Sequence, residues 1–257
     1  MKNFLFMHGA QASPGSLSFL LIVGVVFLIA GWIKGIIGLG LPTVAIGLLG
    51  LVMAPSEAAV LLIVPSFVTN AWQLLAGKSF TGLWRRLWPM LAGITFGTLA
   101  GGLLPMTSLA PHASTGLGIA LVLYALAGLA SLQMRVSQSL EGWLSPFLGL
   151  ITGLITAVTG VFVIPAVPYL QMLDLDKDDL MQALGLAFTV STVALAISLG
   201  LNGAFHIASA GTSLLALAPA LAGMFAGQWM REKISPAVFK RCFFMGLLAL
   251  GLHLALS

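Results

Sequence analysis

Charge is nearly missing from this sequence: 11 Lys or Arg and 7 Asp or Glu in 257 residues, 7% in all. Soluble domains carry charge on about a quarter of their residues, so this chain has too little polar material to cover a water-facing surface. A soluble globular domain is excluded. The formal charge of +4 is scattered, with no basic run dense enough to follow a phosphate backbone, which excludes nucleic acid as a partner. Cysteine is limited to Cys242, which rules out an internal disulfide and a cysteine-rich metal site. The four histidines, His8, His112, His206 and His253, are dispersed without an HExxH pattern. Asp174, Asp176, Asp178 and Asp179 lack the loop glycine and distal glutamate of a calcium loop and read as a solvated turn. There is no GxSxG elbow and no pair of membrane carboxylates. No catalytic residue, metal or cofactor is therefore expected.

Long apolar runs are abundant, with 59% of residues hydrophobic. Crossing roughly 30 Å of hydrocarbon takes about 20 apolar residues. Six stretches approach that length: 57–76, 84–104, 112–133, 179–201, 208–230 and 237–256. Two more, 17–53 and 143–173, are too long for one passage and break over Lys34 through Pro42 and over Thr156 through Pro165. Each reads as a helix, an open loop and a short second helix beginning at a proline, with second arms over about 42–53 and 162–173. The expectation is an all-α polytopic membrane protein of about eight hydrophobic segments.

The chain repeats at a spacing of roughly 120 to 130 residues. Pro89-Met-Leu-Ala-Gly93 with Gly97 returns as Pro219-Ala-Leu-Ala-Gly223 with Gly227, and Phe67-Val-Thr-Asn70 lies opposite Phe188-Thr-Val-Ser191. The domain reading is a short tail over 1–16, a first repeat over 17–133, a connecting loop over 134–142 and a second repeat over 143–257. Loop charges bear on how the long stretches run. If both are hairpins, nine of the ten basic residues outside the spans share one side, and only Lys2 faces the other. Single passages would give five against five. The hairpin reading makes the two repeats inverted, with both termini outward.

Irregular backbone is tolerated at membrane depth where it lines a cavity or is buried in protein. Hairpins entering from opposite faces bring their glycine tips together near the midplane, and two short helices there offer N–H groups and partial positive charge to a small anion. The alternative is that these glycines only permit close helix packing. The candidate substrate-binding residues around the breaks are Gly38, Gly40, Pro42, Thr43, Gly160 and Pro165. Asn70, with Gln73 one turn on, and Ser191 with Thr192 are polar at matching depth, either as cavity lining or as interhelical glue. Lys34 adds positive charge to an anion site or snorkels to the cytoplasmic face. Glu57 reads as a first-turn acid beside a Ser56 cap.

The IKGIIGLGLPTVAIGLLG stretch, the TGVFVIPAVPYLQMLDLDKDDLMQALGLAFTVST stretch and the four-plus-four repeat resemble the sulfite exporter TauE/SafE family of membrane permeases. The resemblance runs over nearly the whole chain from about residue 17. It implies a multi-pass carrier in the bacterial inner membrane, with sulfite, an organosulfonate or a related small anion as substrate and the lipid bilayer as surroundings. An anion channel and, more remotely, an intramembrane enzyme are the alternative functions. Oligomeric state is not legible in the sequence.

Overall fold

The computed structural model describes residues 16–103, 113–130, 135–203, 207–231, 233 and 235–256. The tail through residue 15 and the turn at 105–111 lie outside them. The described residues form ten helices and no strand: α1 (Leu17–Ile37), α2 (Leu41–Leu49), α3 (Pro55–Leu75), α4 (Phe80–Gly102), α5 (Ala113–Ala130), α6 (Gln138–Thr159), α7 (Ala166–Gln171), α8 (Lys177–Leu201), α9 (Ile207–Met230) and α10 (Pro236–Leu256). Seven of them are long and apolar enough to cross a membrane. The 23-residue α4, with Arg85 and Arg86 near its start, is not among the seven. It extends the expected 84–104 segment by a turn at its N-terminus, because a helix continues through charged residues where hydropathy stops.

Both long stretches break where expected. α1 ends at Gly38, in the left-handed region at φ 78° and ψ 2°, and α6 ends at Gly160, at φ 72° and ψ −2°. This conformation is open to glycine and costly for residues with a Cβ. The arms that follow are shorter than expected. α2 stops at Leu49, and α7 has only 6 residues because Val161–Ile164 are non-helical and Pro165 is the N-cap, one position outside the helix. Glu57 does lie in the first turn of α3, but the N-cap is Ala54, with Pro55 opening the helix, so Ser56 is not a cap.

The second stretch leaves one end of the bundle and returns to it. The Arg86 guanidinium donates to both carboxylate oxygens of Glu141, at the start of α6, at 2.9 and 2.5 Å. It also donates to the carbonyl of Leu173, just beyond α7, at 2.9 Å. Ser145 and Tyr169 share a hydrogen bond of 2.7 Å inside this hairpin.

Glycines decide which helices lie closest. On α1, a Cβ at Gly31 would fall 2.1 Å from the carbonyl oxygen of Ala220, and one at Gly35 2.2 Å from that of Met224, both on α9. On α6, Gly149 meets the carbonyl of Met90 at 2.2 Å and Gly153 that of Ile94 at 2.3 Å, both on α4. The reciprocal contacts also match: Gly223 and Gly227 press on Leu28 and Trp32, as Gly93 and Gly97 press on Pro146 and Leu150. Both seams have i, i+4 spacing and parallel helices, and they superimpose by moving 118 residues from α1 to α6 and 130 from α4 to α9. Close approach driven by small residues is how helices associate where water supplies no hydrophobic force. α3 crosses α8 antiparallel: Gln73 donates to the Met181 carbonyl at 2.9 Å, while Ser66, two turns back, meets Thr192 at 3.3 Å.

Candidate functional site

A polar cavity of about 530 Å³ opens where α1, α3, α8 and α9 converge. Its inner wall includes Lys34, Gly38, Thr69 and Gln73, and its rim carries Lys78, Arg231, Asp176, Asp178 and Asp179. The rim acids stand at the start of α8, where Asp176 caps the helix by accepting from the Asp179 N–H at 2.8 Å. They complement the positive end of that helix dipole. The rim therefore carries three carboxylates against two basic side chains, and a further basic residue lies deeper.

That residue is Lys34. It sits one turn before the α1 break and is only 3% exposed. Its ammonium donates to Asn70 Oδ1, Asn70 Nδ2 donates to Ser66 Oγ at 3.0 Å, and Ser66 Oγ meets Thr192 Oγ1 at 3.3 Å. Thr192 Oγ1 donates onward to the Phe188 carbonyl at 2.7 Å. Asn70 and Ser66 are fully buried and Thr192 is 1% exposed. A polar thread thus runs from the cavity wall through α3 into α8. The two ion pairs formed by described residues, Arg86 with Glu141 and Arg135 with Asp174, do not involve Lys34. A buried ammonium held by a neutral amide keeps most of its charge uncompensated, which is costly in a dry interior and well suited to an incoming anion.

The structure gathers some of the sequence candidates and separates others. Lys34, Gly38 and Gln73 line the cavity, and Asn70 bonds to Lys34. A Cβ at Gly38 would collide with the Met181 side chain at 1.9 Å. Thr192 joins the polar thread, whereas its neighbour Ser191 donates to its own helix at the Ala187 carbonyl, 2.8 Å away. Gly40, at φ 107°, packs against Ile33 and Phe243. Pro42 and Thr43 are buried in the first turn of α2, and neither lines the cavity. Gly160 faces Ile46 and Ala59, at the opposite end of α3 from Gln73, so the two glycine tips do not meet. Pro165 is likewise not part of the cavity wall. The closest backbone contacts between helices are made by other glycines, among them those of the two seams.

Ser66, Trp72, Gln182 and Gln228 also belong to this region. Ser66 lies one turn before Asn70 on the same face, so i, i+4 spacing from Asn70 was the available signal. Gln182 donates to the Leu74 carbonyl at 2.9 Å and accepts from the Ser79 N–H at 2.8 Å, tying α8 to the α3–α4 turn.

Comparison with known proteins returns one informative result. No curated protein and no solved structure matches the chain. A family model described as "Sulfite exporter TauE/SafE" matches residues 23–254, which include both helix breaks, both glycine seams and every described residue of the cavity wall. The chain is a multi-pass membrane protein that belongs to the TauE/SafE sulfite exporter family of transporters.

Proposed function

We propose that this protein is a secondary transporter that moves sulfite, an organosulfonate or a related small sulfur-containing anion by alternating access. The observation that carries the reading is Lys34, a buried cation bound to a neutral amide in the wall of a 530 Å³ cavity. Lys34 attracts the anion, and Gln73 beside it in the wall has a second amide N–H, beyond the one given to the Met181 carbonyl, to offer its oxygens. Gly38 leaves the wall open beside them. The helix N-termini after the breaks have a smaller part than the lysine, since α2 contributes no residue to the cavity wall.

Inverted repeats are supported by the two superimposable seams and by the antiparallel crossing of the corresponding helices α3 and α8. A cytoplasmic mouth in a bacterial inner membrane is supported by the basic residues at that end, including Lys78 and Arg231 at the rim. Packing beyond Gly160, where Phe162 lies against Phe188 with ring centroids 5.3 Å apart, favours a carrier over an open channel. Purified protein in liposomes loaded with unlabelled sulfite should take up labelled sulfite faster than empty liposomes do. Equal uptake with and without internal sulfite, at rates that do not saturate, would instead identify a channel. Labelling Thr81→Cys in a Cys242→Ser background tests orientation, and modification of intact cells by an impermeant reagent would place the mouth outside.

A further inference from the structure

The cavity has a closed counterpart at the other end of the bundle. The register that superimposes the glycine seams carries Lys34 onto Thr152 of α6 and Gln228 of α9 onto Thr98 of α4. The sequence match between α3 and α8, 121 residues apart, carries Gly77 onto Ser198. At that end the walls are shut. Asn202 Nδ2 donates to the Gly102 carbonyl at 3.0 Å, and a Cβ at Gly102 would stand 2.0 Å from Ser198 Oγ.

Hydroxyls are unusually dense in this dry contact. Thr98, Thr152 and Thr156 are fully buried and Ser198 is 3% exposed. Thr152 and Thr156 turn back on their own helix, to the carbonyls of Leu148 at 2.8 Å and Thr152 at 2.7 Å. Thr98 Oγ1 has no hydrogen-bond partner among the described residues. An unmet hydroxyl buried between helices is destabilising, and a methyl group would pack there without that cost. The cost is relieved if this interface is wet in another state of the molecule.

We infer that Thr98, Thr152, Thr156 and Ser198 form an occluded second half-site for the same anion, opening between α4, α6 and α8 when the Lys34 cavity closes. This rests on the alternating-access reading and adds where the second path runs and what lines it. The two paths differ chemically. The Lys34 side holds a basic side chain that an anion would draw into its charged form, while the assigned residues of the other offer only hydroxyls, so anion binding is tighter on the Lys34 side and weaker on the hydroxyl side. Such a difference suits capture from one compartment and release to the other.

The test uses full-length protein in a Cys242→Ser background with a reporter cysteine at either Thr98 or Gln73, alkylated by N-ethylmaleimide. In this form Gln73→Cys should react at least tenfold faster than Thr98→Cys. Adding Gly102→Leu wedges α4 away from α8, and the order should reverse, with Thr98→Cys gaining and Gln73→Cys losing about tenfold. Should the wedge prevent folding, Asn202→Ala, which removes the latch together with the Asn202 bond to the Ser198 carbonyl, should move both rates the same way by about threefold. If Gln73→Cys slows while Thr98→Cys stays protected, alternation survives and the assigned second path is wrong. If Thr98→Cys opens with no change at Gln73→Cys, the two ends are uncoupled and both readings fall.

Discussion

Replacing Lys34 with methionine removes the charge while keeping an unbranched apolar stem of similar length. In the native wall Lys34 is 3% exposed and its ammonium donates to Asn70. An anion 4 Å away would gain roughly 4 kcal/mol at an effective dielectric of about 20, which is a ceiling because the cavity admits water. A charged hydrogen bond formed in exchange for water contributes about 1.5–3 kcal/mol, so Lys34→Met should weaken anion binding about 10- to 150-fold. The fold should tolerate the change. Asn70 Oδ1 loses its donor, at a cost of about 1–3 kcal/mol, but a desolvated charge disappears at the same time. Thermal unfolding with and without sulfite is the assay. At a concentration of 100 times the native Kd, ligand stabilises the native protein by about 2.7 kcal/mol. With affinity reduced 50-fold, the same concentration yields only about 0.6 kcal/mol, a fourfold smaller effect. A Lys34→Met protein that folds and binds sulfite within threefold of the native affinity would refute the assignment of the anion site to this lysine.

Three other predictions follow from neighbouring contacts. Asn70→Leu should reduce sulfite counterflow at least tenfold by freeing Lys34 from its position, while Ser191→Ala, which removes a bond only to its own helix, should stay within twofold. Gly38→Val should abolish sulfite-induced stabilisation, since it forces a side chain into the left-handed region and against Met181. Gly160→Val should lower stability by a similar strain, of order 1–2 kcal/mol or more, yet leave the sulfite Kd unchanged in whatever protein folds; equal loss of binding in both would place the two tips in one site after all. Arg86→Gln should cost about 1–3 kcal/mol by opening the hairpin base, read as a lower unfolding temperature that Glu141→Gln largely reproduces.

Helix number and the two breaks were legible because apolar length and Gly-Pro punctuation are local properties. Gly38 and Gly160 both end their helices in the left-handed conformation, as glycine ahead of an irregular segment suggests. What lies against each glycine is not local. Gly38 abuts Met181, 143 residues away, whereas Gly160 abuts Ile46 and Ala59, and nothing in either motif distinguishes the two. Glycines at i, i+4 spacing along α1, α4, α6 and α9 pack against neighbouring helices, and Gly35 and Gly38 border the cavity. Lys34 could not be assigned from sequence because its burial depends on α3 and α9 closing over it. Ser191 and Thr192 looked equivalent, yet a helix turns adjacent residues about 100° apart, so only one of them can face Ser66.

The two glycine seams have a consequence for biogenesis. α1 finds its partner in α9 and α4 finds its partner in α6, so each seam joins an early helix to a late one. While the ribosome is still making the second half, the glycine faces of α1 and α4 are already in the bilayer with no helix to meet them. The nascent first half then lacks both seams, which leaves it open to quality-control proteases and to pairing with another copy of itself. Separately expressed halves, 1–133 and 134–257, should each be unstable alone and rescue one another when made together.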